Sequence, residues 1–133
     1  MNRFKSWDEI EAYYQGGLTL AEQKLKVALA TGQPCTLGDL PNKPVDWSKP
    51  DTTRHIRADV LRYALTRPFG AEDTAEYGVH IAGAAISGEL NIVDCTIHGN
   101  AVLPQCRFEN AAYADRAHFK KIVSFKDSHL PAL

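Results

Sequence analysis

From Val79 to Leu133 the chain repeats itself every eleven residues, and a fixed period of this kind restricts the fold more than any other feature of the sequence. Aligned at that spacing, the segments read VHIAGAAISGE, LNIVDCTIHGN, AVLPQCRFENA, AYADRAHFKKI and VSFKDSHLPAL. The eighth column is Ile86, Ile97, Phe108, Phe119 and Leu130, and the third is Ile81, Ile92, Leu103, Ala114 and Phe125. The first is Val79, Leu90, Ala101, Ala112 and Val123, and the sixth is always small: Ala84, Cys95, Cys106, Ala117 and Ser128. Eleven is odd, so unbroken strand alternation would turn each repeat's apolar set to the opposite face of the one before. Something must reset the register. An eleven-residue period also fits a right-handed helical supercoil, but Gly83, Gly88, Gly99, Pro104 and Pro131 lie inside the repeats among many β-branched and aromatic residues, which excludes helices. The third and eighth columns are alternately five and six residues apart. That spacing predicts short straight faces, each with one inward apolar side chain, and one extra corner residue in every second face.

Two positions before each eighth-column residue stands a small one, giving AAI, CTI, CRF, AHF and SHL. This small-x-large pattern resembles the pentapeptide-repeat proteins of bacteria and phage. In the other face type the matching positions Val79, Leu90 and Val123 are larger than the family's usual alanine, and its polar residue before the centre occurs only as Asn91. The resemblance implies a right-handed quadrilateral β-helix with four faces per coil, hence 22 residues per coil here. Ile81, Leu103 and Phe125 would then stack on one face and Ile86, Phe108 and Leu130 on another, with Ile97 under Phe119 and Cys95 under Ala117. The first, third and eighth columns would supply the core, because no single coil buries its own inner face. The expected fold is therefore mixed: a small α-helical N-terminal cap over residues 1–70 and a short right-handed β-helix over 79–133, a pentapeptide-like solenoid of 11-residue half-coils. Its far end is expected to be open, with Ile122, Phe125, Leu130 and Leu133 at an uncapped edge that invites another chain; the rival explanation is that the chain is a piece of something longer. Family members often dimerise end to end through the C-terminal coil, so a homodimer with two-fold symmetry is implied there.

Ahead of the repeat, Ser6 and Glu9 have the form of a capping box, predicting a helix from Trp7 to about Tyr14 that stops at Gly16-Gly17. Trp7, Ile10, Tyr13 and Tyr14 are expected to pack inward. Thr19 and Glu22 repeat the signature for a second helix, Leu20 to Ala30, with Leu25, Ala28 and Leu29 on one face and Gly32 beyond its end. Gln33 to Pro50 is dense in proline and glycine and is expected to strap the core as a connector. A third helix is expected from Thr52 or Thr53 to Leu65, with Ile56, Val60, Leu61, Ala64 and Leu65 as its buried stripe. Arg54, Arg57, Arg62 and Arg67 lie round its other sides. They suit a phosphate or an acidic partner surface, or else a solvated face paired with Asp51, Asp59, Glu72, Asp73 and Glu76.

Fifteen basic and sixteen acidic side chains leave a formal charge of −1, without the excess that marks a nucleic-acid binder or mimic. Residues 79–133 carry five of each sign; the DNA mimicry known in the family needs a negative coil, so it loses its basis. The N-terminus lacks the apolar stretch of a secretory signal and no run suits a membrane span. Three cysteines without CxxC spacing fit neither a disulfide framework nor a zinc site. A reduced, cytoplasmic setting is expected. His118 and His129 share a column but would face different directions, and Cys95 and Cys106 fall in the inward small column. With no phosphate loop, HExxH or GxSxG, neither catalysis nor a metal or cofactor is expected. The expected function is a non-enzymatic protein-interaction module that docks on a bacterial protein. Arg54, Arg57, Arg62, Arg116, Lys120, Lys121 and Lys126 are its candidate contacts. The alternatives are a phage-type inhibitor of a host nucleic-acid-processing machine, such as a topoisomerase or defence complex, and weak direct nucleic-acid binding through Arg107 and the same basic residues.

Overall fold

The computed structural model describes residues 3–38, 45–49, 51–67 and 78–130. Among these residues three helices and a set of short parallel strands make a mixed α/β fold. Helix α1 spans Trp7–Tyr13; its N-cap Ser6 accepts from the Glu9 N–H at 3.1 Å. Helix α2 spans Leu20–Thr31 and begins with a complete capping box, the Thr19 hydroxyl on the Glu22 N–H and the Glu22 carboxylate on the Thr19 N–H. Gly32, at φ 70°, ends it in the left-handed conformation that glycine adopts without steric cost. Of the four α1 residues expected to face inward, Tyr13 is 59% exposed. It lies roughly 100° round the helix from its neighbour Tyr14, and its ring instead meets Phe4 and Tyr14 edge-on at the surface.

Two further expectations need correction. The connector after α2 contains strand β1, Cys35–Thr36, which pairs with Ile81 and Ala82. The third helix starts later than its apolar spacing suggests: Thr52–Arg54 is a 3-10 turn capped by Asp51, His55–Arg57 is strand β2, and α3 runs Ala58–Thr66. Ile56 is buried through the sheet, opposite Ile86, rather than through the helix. Each N-terminal strand thus satisfies backbone groups that β3 (Val79–Ala82) and β4 (Ala85–Ser87) would otherwise leave bare. The expected helical cap is therefore a composite of helices and strands. Glu72, Asp73 and Glu76, the expected partners of the arginines, lie outside the described residues.

The remaining strands are β5 (Leu90–Asn91), β6 (Thr96–Ile97), β7 (Ala101–Val102), β8 (Arg107–Phe108), β9 (Ala112–Tyr113), β10 (His118–Phe119) and β11 (Val123–Ser124). They form parallel sheets of order β1-β3-β7-β11, β2-β4-β8, β5-β9 and β6-β10. Within the repeat every pair is offset by 22 residues: Val79 with Ala101 and Ala101 with Val123, Ile86 with Phe108, Leu90 with Ala112, Ile97 with Phe119. The register is reset by the backbone at one column. Gly83, Asp94, Gln105, Arg116 and Asp127, eleven apart, all have positive φ, between 52° and 79°. At three of these corners the sixth-column N–H closes a turn on the third-column carbonyl: Cys95 on Ile92 at 3.0 Å, Ala117 on Ala114 at 2.9 Å, Ser128 on Phe125 at 3.0 Å. A β-turn with positive φ at its third residue swings the chain so that both the first and the eighth columns point inward.

One buried cluster joins Leu25 and Leu29 of α2, Leu61 and Leu65 of α3, and Ile81, Ile86, Ile97, Leu103 and Phe108 of the strands. The helices therefore share the strands' core. Not all fifteen first-, third- and eighth-column positions are buried: Ala114 is exposed, Phe119, Phe125 and Leu130 are half-buried, and Val123 is 40% exposed. All five belong to the last stretch, beyond which no strand pairs among the described residues.

Candidate interaction surfaces

The arginines of the 54–62 stretch turn inward on the fold. Arg54 bonds Asp51 at 3.1 Å and, through Nη1, the carbonyl oxygens of Leu37 at 3.0 Å and Gly83 at 3.1 Å. It ties the exit of β1 to the corner before β4. Arg57 sits over the Tyr14 ring, 3.5 Å from its centroid. It donates to the Gly17 carbonyl at 2.7 Å and through Nη2 and Nε to both oxygens of Glu22, at 2.6 and 3.1 Å. Arg62 donates to the Asn91 carbonyl at 3.0 Å, with its Nη2 3.4 Å from the Cys95 sulfur. The guanidinium fork suits this work, meeting carbonyls where the chain leaves a strand. Spacing in the sequence held no sign of these bonds, since the partners of Arg54, Arg57 and Arg62 other than Asp51 are 17 to 40 residues away.

The other expected contacts lie at the end of the repeat. Arg116 pairs with Asp94, its Nη2 2.9 Å from Oδ2, and this hydrogen bond holds the Asp94 carboxyl below its ordinary range. Both side chains are exposed, so the pair adds little stability. Lys120, Lys121 and Lys126 are exposed and form no salt bridge among the described residues. Between them Ile122 is 65% exposed. Phe125 is half-buried, edge-on to Phe108 at 5.9 Å, and Leu130 packs against the core. Leu133 lies outside the described residues. Two residues that sequence reasoning did not place at this edge join it: Tyr113, 42% exposed, and Val123, expected in the core. Among the described residues, strands β9, β10 and β11 each pair on one side, with β5, β6 and β7.

Elsewhere the chemistry is sparse. Cys35 and Cys106 are buried, and burial pushes both thiols up to about 11, far from a thiolate's working range. His118 and His129 stand in different ladders, beside Thr96 and Arg107. His55 Nε2 shares a hydrogen bond with the Ser87 hydroxyl beside a groove of about 410 Å³ that Trp47 overlooks. No carboxylate orients the other ring nitrogen among the described residues, so the third member of a nucleophile relay is lacking. A larger groove, about 680 Å³, lies between α2 and β1 and is edged by Leu20 and Val27. No helix among the described residues is long and apolar enough to cross a membrane. Comparison with protein-family models gave no match, and neither did comparison with curated proteins or solved structures.

Proposed function

We propose that the chain is a non-enzymatic protein-interaction module built on a short right-handed β-helix, and that it docks on a protein partner through its last coil. The winding is supported by the 22-residue offset of the parallel pairs and by the positive-φ corner recurring every eleven residues. The observation that carries the docking surface is the exposed apolar set of Tyr113, Ile122 and Val123. It borders β9, β10 and β11, each of which pairs on one side among the described residues. Free edges next to apolar side chains are where extended partners add. The three thiols are free, which suits a reducing, cytoplasmic compartment.

With the chain as bait in a bacterial lysate, the double variant Ile122→Asp, Val123→Asp should lose a protein that the wild type captures. Equal capture by both would refute the reading. An inhibitor of a nucleic-acid-processing machine is the same module with a particular partner, and the captured protein decides it. Direct nucleic-acid binding has less support, because Arg54, Arg57, Arg62 and Arg116 are held by internal bonds, which leaves Arg107 and the three lysines exposed. Retention on a DNA or RNA column that falls steeply with salt would revive it.

A further inference from the structure

We propose that the outer face of the β2-β4-β8 sheet, beneath Trp47, binds a neutral oligosaccharide. The site uses neither the β-helical reading nor the side chains assigned to protein docking; it rests on strand pairing and on one groove. Along these strands the middle residues Ile56, Ile86 and Phe108 are buried, so the residues on either side of them point outward. One outward row is His55, Ala85 and Arg107. The other runs from Arg57 and Ser87 toward Glu109, whose N–H bonds the Ile86 carbonyl at 3.0 Å. Ala85, with only a methyl group, leaves a hollow between His55 and Arg107, whose strands lie roughly 10 Å apart. This hollow is the floor of the groove of about 410 Å³.

Trp47 is presented to the groove by a turn made locally. The Lys49 N–H bonds the Asp46 carbonyl at 3.2 Å, and the Ser48 N–H bonds Asp46 Oδ1 at 3.1 Å. The indole is half-buried but packs against neither buried cluster, whereas Trp7 packs against both. Core packing therefore does not account for it. Trp47, Arg107 and Glu109 also line an adjoining groove of about 570 Å³ that continues to His129, so the surface has room for more than one ring. The charges of the first groove cancel: Asp46 pairs with Lys49 at 3.9 Å and Asp51 with Arg54 at 3.1 Å. Arg107 and Glu109 remain, both exposed, about 7 Å apart along β8 and without a salt bridge among the described residues. A phosphate would be drawn by the first and repelled by the second. A sugar ring meets every demand of the site. Its C–H face lies on the flat apolar indole. Its hydroxyls, each donor and acceptor, serve both the guanidinium, which only donates, and the carboxylate, which only accepts.

Titrating the full chain with cellotetraose, mannotetraose, maltotetraose and xylotetraose, each to about 20 mM, tests this by proton–nitrogen correlation spectra. The chain has two tryptophans, so Trp7 is an internal control for the indole N–H signal of Trp47. At least one sugar should shift the Trp47 signal with a Kd of about 0.1–5 mM and leave Trp7 unmoved. Trp47→Ala should weaken binding at least about tenfold, read at the Arg107 and Glu109 amides, and Trp47→Phe should restore it to within about threefold. Arg107→Ala and Glu109→Gln should each weaken it about tenfold. Because Trp47 packs outside the buried clusters, its variants should melt within about 2 °C of the wild type; if they do not, the exposed Arg107 and Glu109 variants carry the comparison. Adenosine monophosphate, a flat ring joined to an anion, should bind at least about tenfold more weakly than the best sugar. Absence of a shift with every sugar overturns the proposal, as do equal shifts at Trp7 or undiminished binding by the Trp47, Arg107 and Glu109 variants. Tighter binding of the nucleotide also overturns it and makes the groove an anion site.

Discussion

Glu22 is a residue at which a small chemical change should cost the fold heavily. Its side chain is fully buried, at 0% exposure, and its two oxygens accept from the Thr19 N–H at 2.9 Å, the Arg57 N–H at 2.8 Å, and Arg57 Nη2 and Nε at 2.6 and 3.1 Å. One carboxylate therefore starts α2, fixes the backbone at the end of β2 and neutralises Arg57. Glu22→Gln keeps the shape but turns one acceptor oxygen into an NH₂ group that faces two donors. It also leaves the Arg57 charge without its counter-ion. Breaking a buried ion pair by removing one member costs about 3–5 kcal/mol. Arg57 is 20% exposed, so water compensates in part and the lower end, about 3 kcal/mol, is expected. For a chain of this size that lowers the melting temperature by about 10 °C.

Thermal and urea denaturation followed by circular dichroism measure the change. Arg57→Met should also destabilise, since it strands the buried carboxylate, and the double variant should cost less than the two single changes together by about 2 kcal/mol. A Glu22→Gln protein melting within about 3 °C of the wild type would refute the reasoning, as would additive single and double variants. Either result would return Arg57 to the set of residues free to meet a partner.

Gly78→Ala should cost about 3 kcal/mol or more, because the new Cβ would lie 2.3 Å from the Asn100 nitrogen and 2.4 Å from its carbonyl oxygen at φ +61°. Gly16→Ala, at φ +85° with nothing within 4 Å, isolates the conformational part and should cost only about 1 kcal/mol in the same denaturation assay. At the repeating corner, Gln105→Val puts a β-branched side chain at φ 52° and should destabilise by about 1–2 kcal/mol, whereas Gln105→Gly should stay within about 1 kcal/mol of the wild type. Among the thiols, native protein at pH 8 should react with Ellman's reagent first at half-buried Cys95, and Cys35 and Cys106 should react only on unfolding. The folded pKa of about 11 for Cys35 and Cys106 exceeds the ordinary 9.0, so their contribution is complete below pH 9 and is lost as pH rises toward 11, where the unfolded chain ionises first. Urea titrations across that window should show stability falling by about 1.4 kcal/mol per pH unit for each thiol, and Cys35→Ala should flatten the slope.

What the sequence displayed was whatever repeats or punctuates. Thr19, Glu22 and Gly32 gave the limits of α2 within a residue, and the eleven-residue columns gave the side chains that line the strands. What it concealed is non-periodic or distant. Strands of two and three residues such as β1 and β2 have no alternation to display, and Ile56 and Val60, four apart, imitate a helical stripe. Asp51 is a real capping residue, but it caps a single 3-10 turn. The corner column holds Gly83 and Asp94, types at home at positive φ, but also Gln105 and Arg116, which are not, so only its position in the repeat betrays it. The arginines were misleading because their charge was visible and their bonding partners, far along the chain, were not.

The two ends of the strand array differ in one respect that links fold to function. At the front, β1 and β2 lie against β3 and β4, and α2 and α3 pack over them. At the back, β9, β10 and β11 have no further strand or helix beside them among the described residues. A single column shows the consequence: Val79 and Ala101 are buried and Val123, with the same inward position, is 40% exposed. Tyr113, Ile122 and Val123 are 42%, 65% and 40% exposed, so at about 1.5–3 kcal/mol for each large side chain fully covered they offer about 2–4 kcal/mol, and about twice that against a matching apolar surface. Association itself costs about 4–15 kcal/mol. Apolar contact therefore offsets part of that cost without choosing a partner, and the choice passes to the charges around the edge. Acids beside β9 and lysines beside β11 favour a surface with the opposite order of signs.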